Sequence, residues 1–349
     1  MPRLQHALLL QAYALSPLLP LLLRVTRDLP SALNELRWLR SHVINAIPKQ
    51  SLHRQHATLV KLCRRRQAAE PLQYILGSQP FGELDIRCRK GVLIPRLETE
   101  AYSQHLAEQA LESKSWNGLK RKLRVLDLCS GSGCISLLLL HLLRRRMGGV
   151  DVVGWDISKQ ALALSNENVR HSLGPEDRGH VRYEDRDVLA STEKDMHNAE
   201  AFDIIICNPP YIHTEDSSVS RSVRKWEPGL ALFPASQATG PYQSSEALSV
   251  VCAVEDIFYE RVLKLATAHD VEKIVLMEVG SKEQAIRVVQ LAAMFLPQAT
   301  LEIWRDAPDQ ISESYEVASI LVDDQNYSVK GSGLFRAVVA RCNQHQNPS

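Results

Sequence analysis

Asn208, Pro209, Pro210 and Tyr211 follow the apolar run at residues 202–207, FDIIIC. These residue types in this order suit the holding of a flat nitrogen for group transfer. The lone pair of an amide or exocyclic amine is delocalised, so the nitrogen attacks only when its N–H bonds are held and it is aimed. An Asn side-chain oxygen and a Pro main-chain carbonyl can accept those two N–H groups, and a Tyr ring can lie against the plane. Two prolines stiffen the backbone for that work. The same four residues also read as an ordinary turn.

Residues 123–140, LRVLDLCSGSGCISLLLL, supply an independent signal: an apolar strand, a small-residue loop and an apolar helix. Such a strand-to-helix turn is a common ligand site. Gly131 and Gly133 allow close approach of the main chain and positive φ. Asp127, at the strand's carboxyl end, can accept from an ammonium group or hold a water beside a ligand. The pattern D-L-x-S-G-S-G differs from the dinucleotide fingerprint, and a short glycine loop also serves as a packing turn. The next strand, 150–156 (VDVVGWD), ends on Asp156, where an acid can bind two ribose hydroxyls. A third segment, 181–189 (VRYEDRDVL), offers Asp187 to an adenine amino group, with Asp185 as a competing choice.

The elements that must position these residues alternate strand and helix. Residues 202–207 and 273–280 read as strands buried on both faces, and 281–295 as an amphipathic helix. Two further strands, 300–305 and 334–341, have no helix signal between them, which implies an antiparallel final pair. The stretch 307–333 reads as a surface excursion. From Pro30 to Gln73 the chain reads as helical, with Ser31 as a possible cap and Leu33, Leu36, Leu39 and Trp38 at helical spacing. Residues 53–67 repeat this character with Leu59, Leu62 and Cys63 on one side. The runs Arg64-Arg65-Arg66 and Arg144-Arg145-Arg146 read as solvated helix ends, with contact to ribosomal RNA or an acidic partner as the alternative for the cationic runs.

These motifs resemble those of the HemK/PrmC-type methyltransferases, which modify the glutamine amide of peptide chain release factors. The likeness extends to 70–77 (EPLQYILG), Phe81-Gly82, the string 92–100 (VLIPRLETE), Glu227-Pro228 and residues 256–259 (DIFY). It implies an α/β, Rossmann-like, seven-stranded class I methyltransferase sheet with a reversed last strand, preceded by a small helical domain. The implied boundaries are 1–78 for a helical substrate-recognition domain, 79–100 for a linker or hairpin, and 101–349 for the methyltransferase domain. The implied cofactor is S-adenosylmethionine, set against Asp127, Cys129, Ser130, Gly131, Ser132, Gly133, Asp156, Asp187, Val188 and Asn208. The implied substrate site is Asn208, Pro209, Pro210 and Tyr211, and the implied partner is a release factor. Three positions depart from the family pattern: Cys129 stands where Gly is frequent, Val188 where a bulky residue is frequent, and Leu97 where Pro is common. Two rival readings are an adenine N6-methyltransferase acting on DNA or RNA, and a binding module without catalysis. The first would need a base-flipping pocket and a target-reading domain.

Composition agrees with a two-domain enzyme. The chain has 349 residues, beyond the usual single domain. Its 41 Lys and Arg against 40 Asp and Glu leave a net charge of +1, which argues against a duplex nucleic-acid binder, so no stable nucleic-acid partner is expected. Seven cysteines without a CxxC pair indicate reduced thiols and no zinc site, and Cys129 and Cys134 read as small packing residues. The first 27 residues hold Arg3, Arg24 and Arg27 and no acid. They read either as a mitochondrial targeting segment or as the first helix of the folded domain. Residues 15–23 (LSPLLPLLL) are too short and too proline-rich to span a membrane. The resemblance, whose helical-domain form occurs in bacteria and organelles, points to mitochondria, with the cytoplasm as the other location; a monomer is expected, although the sequence leaves oligomeric state open.

Overall fold

The structure is a computed structural model that describes residues 4–113, 116, 121–197, 201–234, 253–269 and 272–343; Arg3 and Cys252 lie outside them. The chain divides into two compact units. The helical unit runs to Gln79 and takes in Cys88–Lys90 and Val219–Glu227. It opens with α1 (His6–Leu15), α2 (Leu19–Thr26), α3 (Leu29–Ala46), α4 (Leu52–Gln67) and α5 (Leu72–Leu76). Residues 6–26, expected as a leader or a first helix, form two helices broken at Ser16 and Pro17. Their Ala12, Leu19, Leu22 and Leu23 are buried in this unit's core.

Helix α3 is capped by Asp28, whose side chain accepts from the Ser31 amide at 2.8 Å, so the cap lies three residues before the expected Ser31. Pro30 fits inside the first turn, where no amide hydrogen is needed. The buried seam is Ala32, Leu36, Leu39 and Val43, at helical spacing. Leu33 and Trp38 flank that seam and are exposed, a correction to the expected apolar side. In α4, Ser51 is the cap and Leu59, Leu62 and Cys63 are buried as expected. The expected solvated arginine run is partly internal. Arg66 makes a two-pronged pair with buried Glu35 at 2.8 and 2.9 Å, and Arg65 makes one with Glu70 at 2.8 and 2.5 Å. Arg144 likewise pairs with Asp177.

The larger unit holds the second strand of the pair β1 (Ser78–Phe81) and β2 (Leu84–Arg87), and then α6 (Leu97–Glu112). There follow β3 (Leu123–Leu128), α7 (Cys134–Arg144), β4 (Val150–Asp156), α8 (Lys159–Ser172), β5 (Val181–Asp185), α9 (Glu193–His197) and β6 (Ile204–Cys207). Helix α10 (Arg221–Trp226) belongs to the helical unit. The chain then gives α11 (Ile257–Ala266), β7 (Lys273–Glu278), α12 (Lys282–Phe295), β8 (Thr300–Ala307), β9 (Ser319–Val322), β10 (Gln325–Lys330) and β11 (Ser332–Cys342).

Its sheet runs β5-β4-β3-β6-β7-β11-β8-β10-β9. Strands β5, β4, β3, β6 and β7 are mutually parallel, and β11 is antiparallel to both β7 and β8. The alternation of side chains sorts each strand into two cores. Ile204 and Ile206 join one with α6, α7 and α8, whereas Ile205 and Cys207 join the other with α11 and α12. This is a Rossmann-like sheet with a reversed strand, as the resemblance implies. The expected count of seven is exceeded because the stretch 307–333 adds β9 and β10 beyond β8. Asp323 and Asp324, both at positive φ (47° and 62°), close a two-residue hairpin between them. Ile320, Val322, Tyr327 and Val329 face the core in strict alternation.

The neutral total charge conceals a division. The helical unit carries 16 Lys and Arg against 4 Asp and Glu, and the remainder 25 against 36. Neither unit is neutral by itself. Among the described residues no helix is long and apolar enough to cross a membrane, and no side-chain group could hold a metal ion.

Candidate functional site

A cleft opens beyond the carboxyl ends of β3, β4, β5 and β6, the end at which parallel α/β sheets accept ligands. Its floor is the loop from β3 to α7. Cys129, Gly131 and Gly133 all have positive φ (61°, 55° and 78°), so the loop curls back on itself with its main chain exposed to the cleft. Cys129 is thus a side chain in a conformation that glycine adopts without strain, which accounts physically for glycine's frequency there. Gly133 caps α7, and a Cβ on it would lie 2.2 Å from the Tyr183 hydroxyl.

Cys129, Ser130, Gly131 and Ser132 line the cleft, while Gly133 shapes it from behind. The Ser130 hydroxyl is buried and has no hydrogen-bond partner among the described residues. Asp156 also lines the cleft. Its Oδ2 accepts from the Gly131 amide at 2.8 Å and its Oδ1 from the Ser158 amide at 2.7 Å. Those bonds leave acceptor capacity on both oxygens. Burial raises the Asp156 carboxyl above its usual range, opposed by these amide donors.

Asp127 does not line the cleft. It is fully buried beneath the loop, with Oδ2 accepting from the Ser136 amide at 3.1 Å and the Ser136 hydroxyl at 2.5 Å. Its Oδ1 is buried without a partner among the described residues. Burial pushes this carboxyl up to about 7 against the pull of the two Ser136 donors.

Asp187 and Val188 line the cleft, and Asp185, the competing choice, does not. Asp187 is fixed by its Oδ1 accepting from the Leu189 amide at 2.9 Å. Asn208 and Pro210 line the wall formed at the end of β6; Pro209 is buried behind them. Tyr211 is half-buried and outside the lining. Its hydroxyl donates to Glu278 at 2.8 Å, and its ring packs against Gly280.

Sequence reasoning missed one wall. Gly91 to Arg96 and Thr99, taken as linker, line the cleft, as do Arg186, Pro228, Leu230 and Phe258. The available signal was the apolar run Val92, Leu93, Ile94, Pro95 ahead of Arg96. Cys129 and Cys134 are poor nucleophiles. Hydrogen bonding to Cys207, with burial, holds the Cys129 thiol well up, and burial pushes Cys134 up to about 12.

The cleft can therefore take a ligand with donors for Ser130, hydroxyls for Asp156 and a flat group beside Asp187 and Val188, with a planar nitrogen at Asn208. Residues 101–225 match the family model for the methyltransferase small domain. A probable MRF1 mitochondrial N(5)-glutamine methyltransferase of Schizosaccharomyces pombe is 37% identical over 63% of this chain and 70% of its own. The mitochondrial MRF1 N(5)-glutamine methyltransferase of Saccharomyces cerevisiae is 35% identical over 66% and 68%. A release factor glutamine methyltransferase of Lactococcus lactis is 33% identical over 60% and 72%.

Proposed function

The chain belongs to the family of release factor glutamine methyltransferases, and on that premise we propose that it methylates the side-chain amide nitrogen of a glutamine in a mitochondrial release factor. Its donor is S-adenosylmethionine, which supplies a carbon already electrophilic through its sulfonium neighbour. The work left to the protein is alignment.

The observation that carries this reading is the gathering of Ser130, Gly131, Asp156, Asp187, Asn208 and Pro210 around one cleft. The orphaned Ser130 hydroxyl, which lines the cleft, supports the presence of a polar ligand there, since most buried polar atoms are hydrogen-bonded. In this reading Asp156 holds the ribose hydroxyls and Asp187 the adenine amino group beside Val188. The exposed main chain of 129–132 receives the amino-acid end. Asn208 accepts one amide hydrogen through its side-chain oxygen and Pro209 the other through its carbonyl. Alignment of that kind is worth roughly 7–11 kcal/mol when reacting atoms are near attack distance. The methylated nitrogen becomes acidic and loses its proton to water, so no base is required of the protein.

The mitochondrial setting is supported by the names of the two yeast relatives. Recognition of the factor falls to the helical unit, whose excess of cations suits an acidic protein face. The deciding experiment is labelled methyl transfer to release factor, DNA and RNA in parallel, with mass spectrometry locating the methyl group. Asn208→Ala should abolish transfer and leave cofactor affinity largely intact by calorimetry. Transfer to nucleic acid and not to the factor, or an undiminished variant, would refute the reading.

A further inference from the structure

The carboxylate of Glu278 is the last side chain of β7 and is almost wholly buried. It is met by three hydroxyls from two segments. Oε2 accepts from Thr99 at 2.8 Å and from Tyr102 at 2.7 Å, both on α6, and Oε1 accepts from Tyr211 at 2.8 Å. A buried carboxylate is costly unless its lone pairs are occupied, and this one is occupied on both oxygens. The Tyr211 hydroxyl is thus committed downward into the core.

Two further contacts hold the same residue. A Cβ on Gly280 would lie 2.9 Å from the Tyr211 ring, so the ring uses the space that this glycine leaves. The Tyr211 carbonyl accepts from Gln284 Nε2 at 3.3 Å, while Gln284 Oε1 takes the Gly280 amide at 2.8 Å. Ring, hydroxyl and carbonyl are all anchored by residues 278–284. Ahead of Tyr211, two prolines leave the main chain little freedom back to Asn208.

We propose that Glu278 is a positioning residue for methyl transfer, fixing the turn from Asn208 to Tyr211 through the Tyr211 hydroxyl. Tyr211 then serves the reaction by anchoring the turn from below, not by lying against the substrate amide. Because Thr99 also lines the cleft, the same carboxylate ties a second lining residue to the turn. This inference rests on the reading that Asn208 and Pro209 hold the glutamine amide. A displacement near 1 Å at such a site costs about 10²-fold in rate.

The test uses Glu278→Gln, Tyr211→Phe and the double variant in the full chain. A glutamine at 278 has one acceptor oxygen and an amino group that cannot accept from a hydroxyl. We expect E278Q to lower kcat by about 10²-fold, with KM for the release factor and cofactor affinity little changed. Y211F should lower kcat in the same manner, and the double variant should be scarcely worse than the poorer single one, because both remove one link. Amide hydrogen exchange at Asn208, Tyr211 and Ile212 should quicken in each variant. Losses that multiply in the double variant, an unchanged kcat, or unchanged exchange would each overturn the proposal. Should E278Q not fold, Y211F alone decides by its kcat and its exchange. Exchange is read without substrate, so a wild-type protein that fails to methylate the factor sinks the functional reading and leaves this test standing.

Discussion

The Tyr183 hydroxyl stands over the Cα of Gly133, close enough that a Cβ there would lie 2.2 Å from it. Gly133 also has φ of 78°, a conformation that any side chain resists. Both effects act on the residue that caps α7 and closes the proposed cofactor loop. Gly133→Ala should lower stability by about 1–3 kcal/mol and weaken S-adenosylmethionine binding at least tenfold. Urea unfolding and calorimetry read the two effects. The Tyr183→Phe background should recover part of the stability, because it removes the oxygen that meets the new Cβ.

Asp127 makes the protein's stability depend on pH in a specific direction. Burial raises its carboxyl from 3.8 to about 7, so the folded state holds this proton more tightly than the unfolded chain does. Its contribution is therefore fully present below the unfolded value and is lost as pH rises through about 7. Asp127→Asn has no proton to lose. The stability of the wild type relative to this variant should fall by up to about 1.4 kcal/mol per pH unit across that window and level off above it. Unfolding of both proteins by urea across the window checks the slope. Parallel curves would show that Asp127 titrates normally.

Arg66 and Glu35 form a two-pronged ion pair in the helical unit that is shielded on both sides. Both side chains are mostly buried, and Arg66 also donates to the Glu70 carbonyl at 3.0 Å. Removing one partner leaves the other charge stranded, which costs more than the pair contributes. Glu35→Ala should destabilise the chain by about 3 kcal/mol, whereas Glu35→Gln, which keeps an acceptor, should cost less. Cofactor affinity should not change in either. A stability loss no greater than that of an exposed acid would mean the pair is solvated, as the cationic run first suggested.

What the sequence discloses and conceals follows from where each signal is local. Asp127, Gly131, Gly133 and Asp156 sit in strand-to-turn patterns whose hydrophobic period announces them, and the order of β3, α7, β4 and β6 follows. Strands β9 and β10 were legible in principle, because Ser319 to Lys330 alternates cleanly around Asp323 and Asp324. A stretch without glycine or proline at that turn hides its hairpin. The Glu278 contacts were not legible, since Thr99, Tyr102 and Tyr211 reach it across 179, 176 and 67 residues. The cleft wall at 91–96 has no periodicity to declare it. Asp28 displaced Ser31 as cap because both are good cap residues and the position of Pro30 decides between them.

The separation of charge between the two units predicts how substrate recognition responds to salt. The helical unit's 16 cations face only 4 acids, of which Glu35 and Glu70 are engaged by Arg66 and Arg65 and Asp28 caps α3. Exposed among these cations are Arg37 and Arg40 on α3 and Arg54 and Lys61 on α4. If this unit receives an acidic face of the release factor, encounter is electrostatically steered and falls as ionic strength shortens the Debye length from about 10 Å toward 3 Å. KM for the factor should then rise with salt while kcat holds, because the cleft chemistry involves no long-range charge. Reversing Arg37, Arg40, Arg54 and Lys61 to Glu should raise KM by about tenfold or more and flatten the salt dependence. A KM indifferent to salt, or raised equally by reversing exposed cations of the larger unit, would remove the helical unit from recognition.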